Sequence, residues 1–473
     1  RWRPGKCGRT MTREERIRGR KVGVIGMARS GLAAALLAKE MGGIPFVTDS
    51  GRREALAPAC AQLEKSGVPF ETDGHSDRIL QSDYAVISPG IPLSAEIARR
   101  IRERGIPLFS EIEFASWFCR GRIVAITGSN GKTTTTTLAG EMFAAAGRPT
   151  CICGNIGRPF AEAASSVPPD GVAVVEVSNF QLETIADFRP AVAAILNITA
   201  DHLDRHGTME EYKRTKYRIT ENQGPDDVLV TNLDDPVTSG ERIATRAARV
   251  YFTTGDATEA GAFVRAGVLW RRKDRAEEPV IPARDILIPG PHNLQNAAAA
   301  TVMATVFGVE AAVLAGVLRT FPGVEHRLER VPSVAGVHFI NDSKATNVDS
   351  VCFALQSVDT PVYLILGGRD KGAPYEPLAP LARGKVRGVV AIGEAREKIF
   401  RALGREFPVQ FADTLEEAVQ KCFAQARPGE TVLLSPACAS FDMFDNYEHR
   451  GRAFKEAVAQ LKNGKKNHNP VAP

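Results

Sequence analysis

The stretch VAITGSNGKTTTTTLAGEMF, Val124 to Phe143, restricts the possible folds of this chain more than any other. Ile123 to Ile126 reads as a buried strand. It runs into a glycine turn, a lysine and five consecutive threonines. Threonine is β-branched and a poor helix former, yet the following LAGEMFAAAG has the composition of a helix. In Thr127 to Thr134, Gly128 and Gly131 permit a tight turn whose backbone N–H groups point inward past Ser129 and Asn130. Lys132 adds a positive charge, and the helix that starts there adds its dipole. Thr133, and Thr134 beside it, are the threonines expected to act, Thr133 as a Mg²⁺ ligand. The form is a compact TGxxGKTT, since the first glycine of GxxxxGK[ST] would fall on Ile126. The plain alternative is a helix entry with a chance lysine. The flanking strand and helix favour ATP phosphates.

The rest of the chain repeats the strand–helix alternation of a parallel sheet. KVGVIG, IPFVTD and YAVISPG are strands, separated by helices such as SGLAAALLAKEMG. VAVVEVS, VAAILNI and DVLVTN continue the pattern, followed by short strands around VYFTTG and GAFVRAGVLWRRK. A third series runs VHFINDS, PVYLILGG, GVVAIG, VQFAD and TVLLSP. The expected fold is α/β in three domains: a Rossmann-like domain over 21–110, a central P-loop ATPase-like α/β domain over 111–323, and a C-terminal Rossmann-like α/β domain over 324–462. Residues 1–20 are expected to be a disordered basic extension without the apolar core of a signal peptide. Residues 463–473 are expected to be a disordered tail.

With 60 basic and 55 acidic residues, the net charge of +5 is small and well mixed, which argues against nucleic acid as a partner. No apolar run approaches the roughly 20 residues of a membrane span. The eight cysteines are scattered, as reduced thiols of a cytoplasmic protein would be. Cys151 and Cys153 form a CxC without a second pair at zinc spacing and read as structural.

Five further segments bear on the chemistry. VGVIGMARSG, from Val22 to Gly31, is an imperfect GxGxxG in which Ala28 replaces the middle glycine. Asp49 ends the next strand, where a dinucleotide fold holds its ribose-binding acid. The motif suits a diphosphate on a helix N-terminus better than a nicotinamide. In VVEVSNFQLE, Glu176 closes an apolar run, a natural place for a Mg²⁺ ligand near a P-loop. LNITADHLDRHG offers Asp201, His202, Asp204 and His206, at no recognisable zinc spacing. YKRTKYRI reads as a basic solvated helix face, with nothing to prefer Lys216 over Lys213. His292, Asn293 and Asn296 in PGPHNLQNAAAA could read an adenine edge or cap a helix.

Together these segments resemble one family, the Mur ligases of peptidoglycan synthesis. The resemblance runs from Lys21 to about Leu461 through ten segments in order: TGSNGKTT, GNIG, EVSNFQLE, DHLDRHG, YKRTKYRI, PGPHNLQNAAAA, EHRLE, NDSKATN, LGGRDKG and SPACASFDMFDNYEHRG. The last three look like the D-glutamate-adding members. The resemblance implies a reaction and a role for each motif. ATP would phosphorylate the L-alanyl carboxylate of UDP-N-acetylmuramoyl-L-alanine, and D-glutamate would attack the acyl phosphate. Lys132, Asn155, His202 and Lys216 would be catalytic. Thr133, Glu176, His202 and a CO₂-derived carbamate on Lys216 would hold two Mg²⁺ ions. Asn293, Asn296, Arg327 and Asp342 would contact ATP. Arg29, Ser30, Gly31 and Asp49 would hold the UDP moiety. Lys344, Thr346, Lys371, Ser440 and the backbone near Tyr447 would hold D-glutamate. A cytoplasmic monomer is expected. The competing readings are a related ligase for a different amino acid, such as a folylpolyglutamate synthetase, a P-loop switch, and an NAD-dependent dehydrogenase.

Overall fold

The computed structural model describes residues 13–199, 208–240, 243–257, 259–274, 276–370 and 372–466. The chain divides into two compact units, one of residues 1–285 with 295–319, the other of 286–294 with 320–473. The first unit carries two sheets and the second carries one.

In the first sheet the strands are β1 (Lys21–Ile25), β2 (Ile44–Thr48), β3 (Phe70–Glu71), β4 (Tyr84–Ile87) and β5 (Leu108–Ser110). All are parallel, in the order β3-β2-β1-β4-β5. The order reverses at β1, and an open parallel sheet offers a ligand crevice beyond the C-terminal end of such a strand. Ahead of β1, Arg13–Ile17 form a short helix. Ile17 is buried in the core, and Arg16 pairs with Asp187 at 3.0 Å.

The second sheet contains β6 (Arg122–Thr127), β7 (Thr150–Gly154), β8 (Val172–Glu176), β9 (Val192–Ile195), β10 (Val228–Asn232), β11 (Ala248–Phe252), β12 (Ala260–Arg265), β13 (Val268–Lys273) and β14 (Ala276–Pro282). Its order is β14-β13-β12-β11-β10-β9-β6-β8-β7, parallel except at the antiparallel β12-β13-β14 end. The reversal falls at β6, whose C-terminus is the threonine-rich turn. β6, β8 and β9 are buried almost throughout, which is why they read as unbroken apolar runs. The helix Lys132–Ala145 forms despite its threonines because Thr133 to Thr136 are all buried. Packing outweighs a propensity deficit of a few tenths of a kcal/mol per residue.

The second unit holds β15 (Glu329–Val334), β16 (Val337–Asn341), β17 (Val362–Gly367), β18 (Val386–Ile392), β19 (Val409–Phe411) and β20 (Thr431–Leu434). The order is β15-β16-β20-β17-β18-β19, with only the β15–β16 pair antiparallel. The last strand inserts between β16 and β17. Its C-terminal end therefore lies beside theirs, and the segments that follow all three strands emerge at one edge.

Candidate active site

The turn after β6 is held from below by its neighbours. Gly131 has a left-handed φ of 84°, and a Cβ there would lie 2.4 Å from Asn296 Oδ1, so both conformation and space require glycine. Asn130 N–H donates to Asn197 Oδ1 at 2.8 Å, and Asn197 Nδ2 donates back to the Asn130 carbonyl at 3.1 Å. Ser129 Oγ lies 3.0 Å from Tyr212 Oη and donates to the Thr199 carbonyl. Lys132 Nζ donates to the carbonyls of Gly128 at 2.8 Å and Ser129 at 2.9 Å. Thr135 Oγ1 donates to Asn296 Oδ1 at 3.1 Å. Asn296 thus braces the loop, and so do Asn197 and Tyr212, which the sequence reading did not single out. The available signal for Asn197 was a polar side chain ending an apolar strand.

Glu176 ends β8 beside this loop and is 1% exposed. Its Oε1 accepts from Asn155 Nδ2 at 3.0 Å, and its carbonyl accepts from Asn155 N–H at 2.8 Å. Its Oε2 is buried with no hydrogen-bond partner, as is Thr134 Oγ1. An orphaned carboxylate oxygen is costly, and this one is what a hard cation would satisfy. With the Thr133 hydroxyl at the helix start, the donors are oxygens that suit Mg²⁺.

Lys216 lies on the helix Met209–Tyr217, which does not present it to solvent. The side chain is buried, its Nζ donates to the Gly128 carbonyl at 3.1 Å, and it sits 4.6 Å from the Tyr212 ring centre. Lys213 instead forms a 2.9 Å ion pair with Glu210. Burial therefore separates two lysines that the sequence left equivalent. His202, with Asp201, Asp204 and His206, lies outside the described residues.

At the first glycine turn, Gly31 opens the helix Arg29–Glu40 so close to β1 that a Cβ would lie 1.9 Å from the Gly26 carbonyl oxygen. Asp49 accepts from Met27 N–H at 2.6 Å and Gly51 N–H at 2.8 Å, binding the ends of β1 and β2. Arg29 donates to the Gly157 carbonyl at 3.3 Å, which links this turn to the GNIG loop. Ser30 occupies the first turn of the same helix.

In the second unit, Asp342 follows β16 and is buried. Its Oδ2 accepts from Ser435 Oγ at 2.8 Å and its Oδ1 from Leu328 N–H at 3.2 Å. Burial pushes this carboxyl up to about 6, against the opposing pull of Arg327. Arg327 Nε is itself buried without a hydrogen-bond partner. Lys344 Nζ stands 5.6 Å from the Tyr447 ring centre, and Thr346 N–H donates to the Lys344 carbonyl. Arg450, 1% exposed, ties these segments together by donating to Ser343 Oγ and to the carbonyls of Ser343 and Cys438. Ser440, also buried, follows on that strand-end segment. Arg450 was not anticipated, because an arginine in a polar helix carries no signal of burial. Lys371 lies outside the described residues. Asn293 belongs to this unit and donates to the Pro289 carbonyl at 2.7 Å.

Two family models match the chain: the Mur ligase middle domain over residues 126–304, and the Mur ligase glutamate ligase domain over 326–438. Proteins named UDP-N-acetylmuramoylalanine–D-glutamate ligase match it closely. That of Alkaliphilus oremlandii is 43% identical, covering 94% of this chain and 99% of its own. That of Salinibacter ruber is 44% identical, covering 95% and 100%. This chain belongs to the Mur ligase family. The fold agrees. The UDP-N-acetylmuramate-alanine ligase of Thermotoga maritima superposes with a TM-score of 0.60 at 19% identity, over 93% of this chain and 99% of that one. The MurF ligase of the same organism, solved in complex with ADP, gives 0.57 at 15%, over 96% of each. As a Mur ligase, the chain has its middle-domain match beginning at Ile126, directly before the turn that carries Lys132.

Proposed function

We propose that this Mur ligase joins D-glutamate to UDP-N-acetylmuramoyl-L-alanine at the cost of ATP, in the cytoplasm, as a step of peptidoglycan precursor synthesis. The observation that carries the reading is that relatives bearing this activity in their names align over nearly the whole chain. The glycine turn after β6 supports it, because a buried loop with a lysine at its mouth suits the β- and γ-phosphates.

The chemistry assigns work to each group. The nucleotide's carboxylate attacks the γ-phosphorus, ADP leaves, and an acyl phosphate forms. The amine of D-glutamate then attacks the carbonyl carbon, and phosphate departs as the amide closes. Two anions must approach during the first step, so fixed positive charge is needed where the charge develops. Lys132 supplies it, with the N-terminal end of the helix Lys132–Ala145. Mg²⁺, when bound, offsets phosphate charge and fixes its oxygens. The Thr133 hydroxyl and Glu176 Oε2 would hold one ion. Asn155 fixes the Glu176 carboxylate and lines the acyl-phosphate site. The deprotonated Lys216 amine would add to CO₂ and release a proton, and an oxygen of the resulting carbamate would hold a second ion together with His202. Arg29, Ser30, Gly31 and Asp49 hold the UDP moiety. Arg327, Asp342, Asn293 and Asn296 serve ATP. Lys344, Thr346, Lys371, Ser440 and the Tyr447 backbone hold D-glutamate.

Isotopic oxygen tests the sequence of bonds. With ¹⁸O in both oxygens of the L-alanyl carboxylate, one labelled oxygen should leave in the released phosphate, and only when D-glutamate is present. Unlabelled phosphate accompanying full amide formation would exclude the acyl phosphate.

A further inference from the structure

The CxC of β7 is not used by the reaction, yet it lies one residue from the site. β7 is the edge strand of the second sheet, paired only with β8. Alternation along a strand puts Cys151 and Cys153 on the same face, opposite Ile152. Ile152 packs against Gly140 of the helix Lys132–Ala145. Cys153 is buried in the core, and Cys151 is partly exposed beside it. The strand then passes into Gly154, whose N–H donates to the Arg158 carbonyl at 2.8 Å, and into Asn155, which holds Glu176. A Cβ on Gly154 would lie 2.3 Å from the Glu176 carbonyl oxygen, so the backbone has no slack there.

We propose that Cys151 and Cys153 form a reversible redox switch, closing to a disulfide under peroxide and thereby displacing Asn155 and Glu176 from their working positions. Side chains two apart on a strand project from one face at a spacing of about 6.7 Å, whereas a disulfide brings its two Cβ atoms to about 3.5–4.5 Å. Closure therefore puckers the strand by more than about 1 Å, and displacements of that size cost about 100-fold in rate where they reach the chemistry.

The bonds balance. The Cys151 thiolate attacks one peroxide oxygen, so an S–O bond forms, the O–O bond breaks and hydroxide leaves. The Cys153 sulfur then attacks the Cys151 sulfur, the S–S bond forms, the S–O bond breaks and a second hydroxide leaves. With the two thiol protons, the sum is one disulfide and two waters, the sulfurs losing two electrons to peroxide. Cys151 is the attacking group because it is partly exposed and its thiol is held below the usual cysteine range. The neighbouring Cys153 thiol contributes most to that lowering, and Arg158 also contributes, against the opposing effect of partial burial. The same neighbour and burial push the Cys153 thiol up.

The test uses the full chain, reduced and then exposed to hydrogen peroxide. The peptide carrying both cysteines should become lighter by two hydrogens, ligation should fall by about tenfold or more, and dithiothreitol should restore both. Cys151→Ser should keep basal ligation and resist peroxide. Cys153→Ala, which buries no new polar group, should also keep basal ligation and should form no disulfide. A peptide that stays at its reduced mass, a disulfide that leaves ligation unchanged, or peroxide inactivation that persists undiminished in Cys151→Ser would each overturn the proposal.

Discussion

Lys132 and Lys216 both donate to the Gly128 carbonyl, and the proposed chemistry gives them opposite charges. In that proposal Lys132 is a cation at the phosphates, so Lys132→Ala should lower ligation by about 100-fold or more, measured as phosphate release. Activity within tenfold of wild type would remove it from the phosphate site. In the proposed chemistry Lys216 would act as an anionic ligand after carbamylation. Lys216→Ala should be nearly inactive, and short carboxylic acids should partly restore it by offering oxygen in the vacated space. Lys213→Ala is the control and should be mild, since exposed helix ion pairs contribute only about 0.3–0.5 kcal/mol. Full activity of Lys216→Ala, or absence of rescue alongside a bare amine in a metal-loaded structure, would contradict the assignment. The two lysines also mark how far a sequence can be read. Lys132 was legible because a strand, a glycine turn and a helix fix its position locally. Lys216 was not, because only the packing of the helix Met209–Tyr217 on the loop decides which basic residue faces inward. Asn197, Tyr212 and Arg450 escaped for the same reason: their partners are distant in sequence.

Among the elements, the segment after β5 carries a testable electrostatic load. Glu111 opens the helix Glu111–Ser116, is wholly buried, and accepts from Ala161 N–H at the start of the helix Phe160–Ala163. Burial pushes its carboxyl up to about 7, tempered by the N–H groups of Ala161 and Phe160. Below the unfolded value near 4.5 the group is protonated in both states and adds no pH dependence. Between that value and about 7 the folded chain keeps a proton that the unfolded chain has lost, so stability falls as pH rises. The full penalty, about 3 kcal/mol at 1.36 kcal/mol per unit, is present above neutrality. Glu111→Gln should therefore gain stability relative to wild type between pH 4 and pH 8, read from denaturant midpoints. Equal pH profiles for the two proteins would show that Glu111 ionises freely. The α/β alternation that frames this segment was plain in the sequence, since buried parallel strands are continuous apolar runs. The helical course of the threonines was less so, because burial between layers overrides their local preference.

At the scale of the whole molecule, the two units have separate cores, and the proposal gives the phosphate loop to the first and D-glutamate to the second. At roughly a hundredfold excess over its dissociation constant, a ligand stabilises the unit that binds it by about 2.7 kcal/mol. Mg·ADP should slow amide exchange in β6, β8 and β9, and D-glutamate should slow it in β16, β17 and β20. Protection of β1–β5 by D-glutamate would contradict the assignment of that amino acid to the second unit. The identity of the reaction rests on which amino acid is joined, and one comparison decides it. Phosphate release and product mass are followed with ATP, Mg²⁺ and UDP-N-acetylmuramoyl-L-alanine, offering D-glutamate, L-glutamate, L-alanine and D-alanine in turn. Turnover is expected with D-glutamate, and a kcat/KM lower by about 100-fold or more for each of the others. Equal or better turnover with any of those three, or none with D-glutamate, would contradict it.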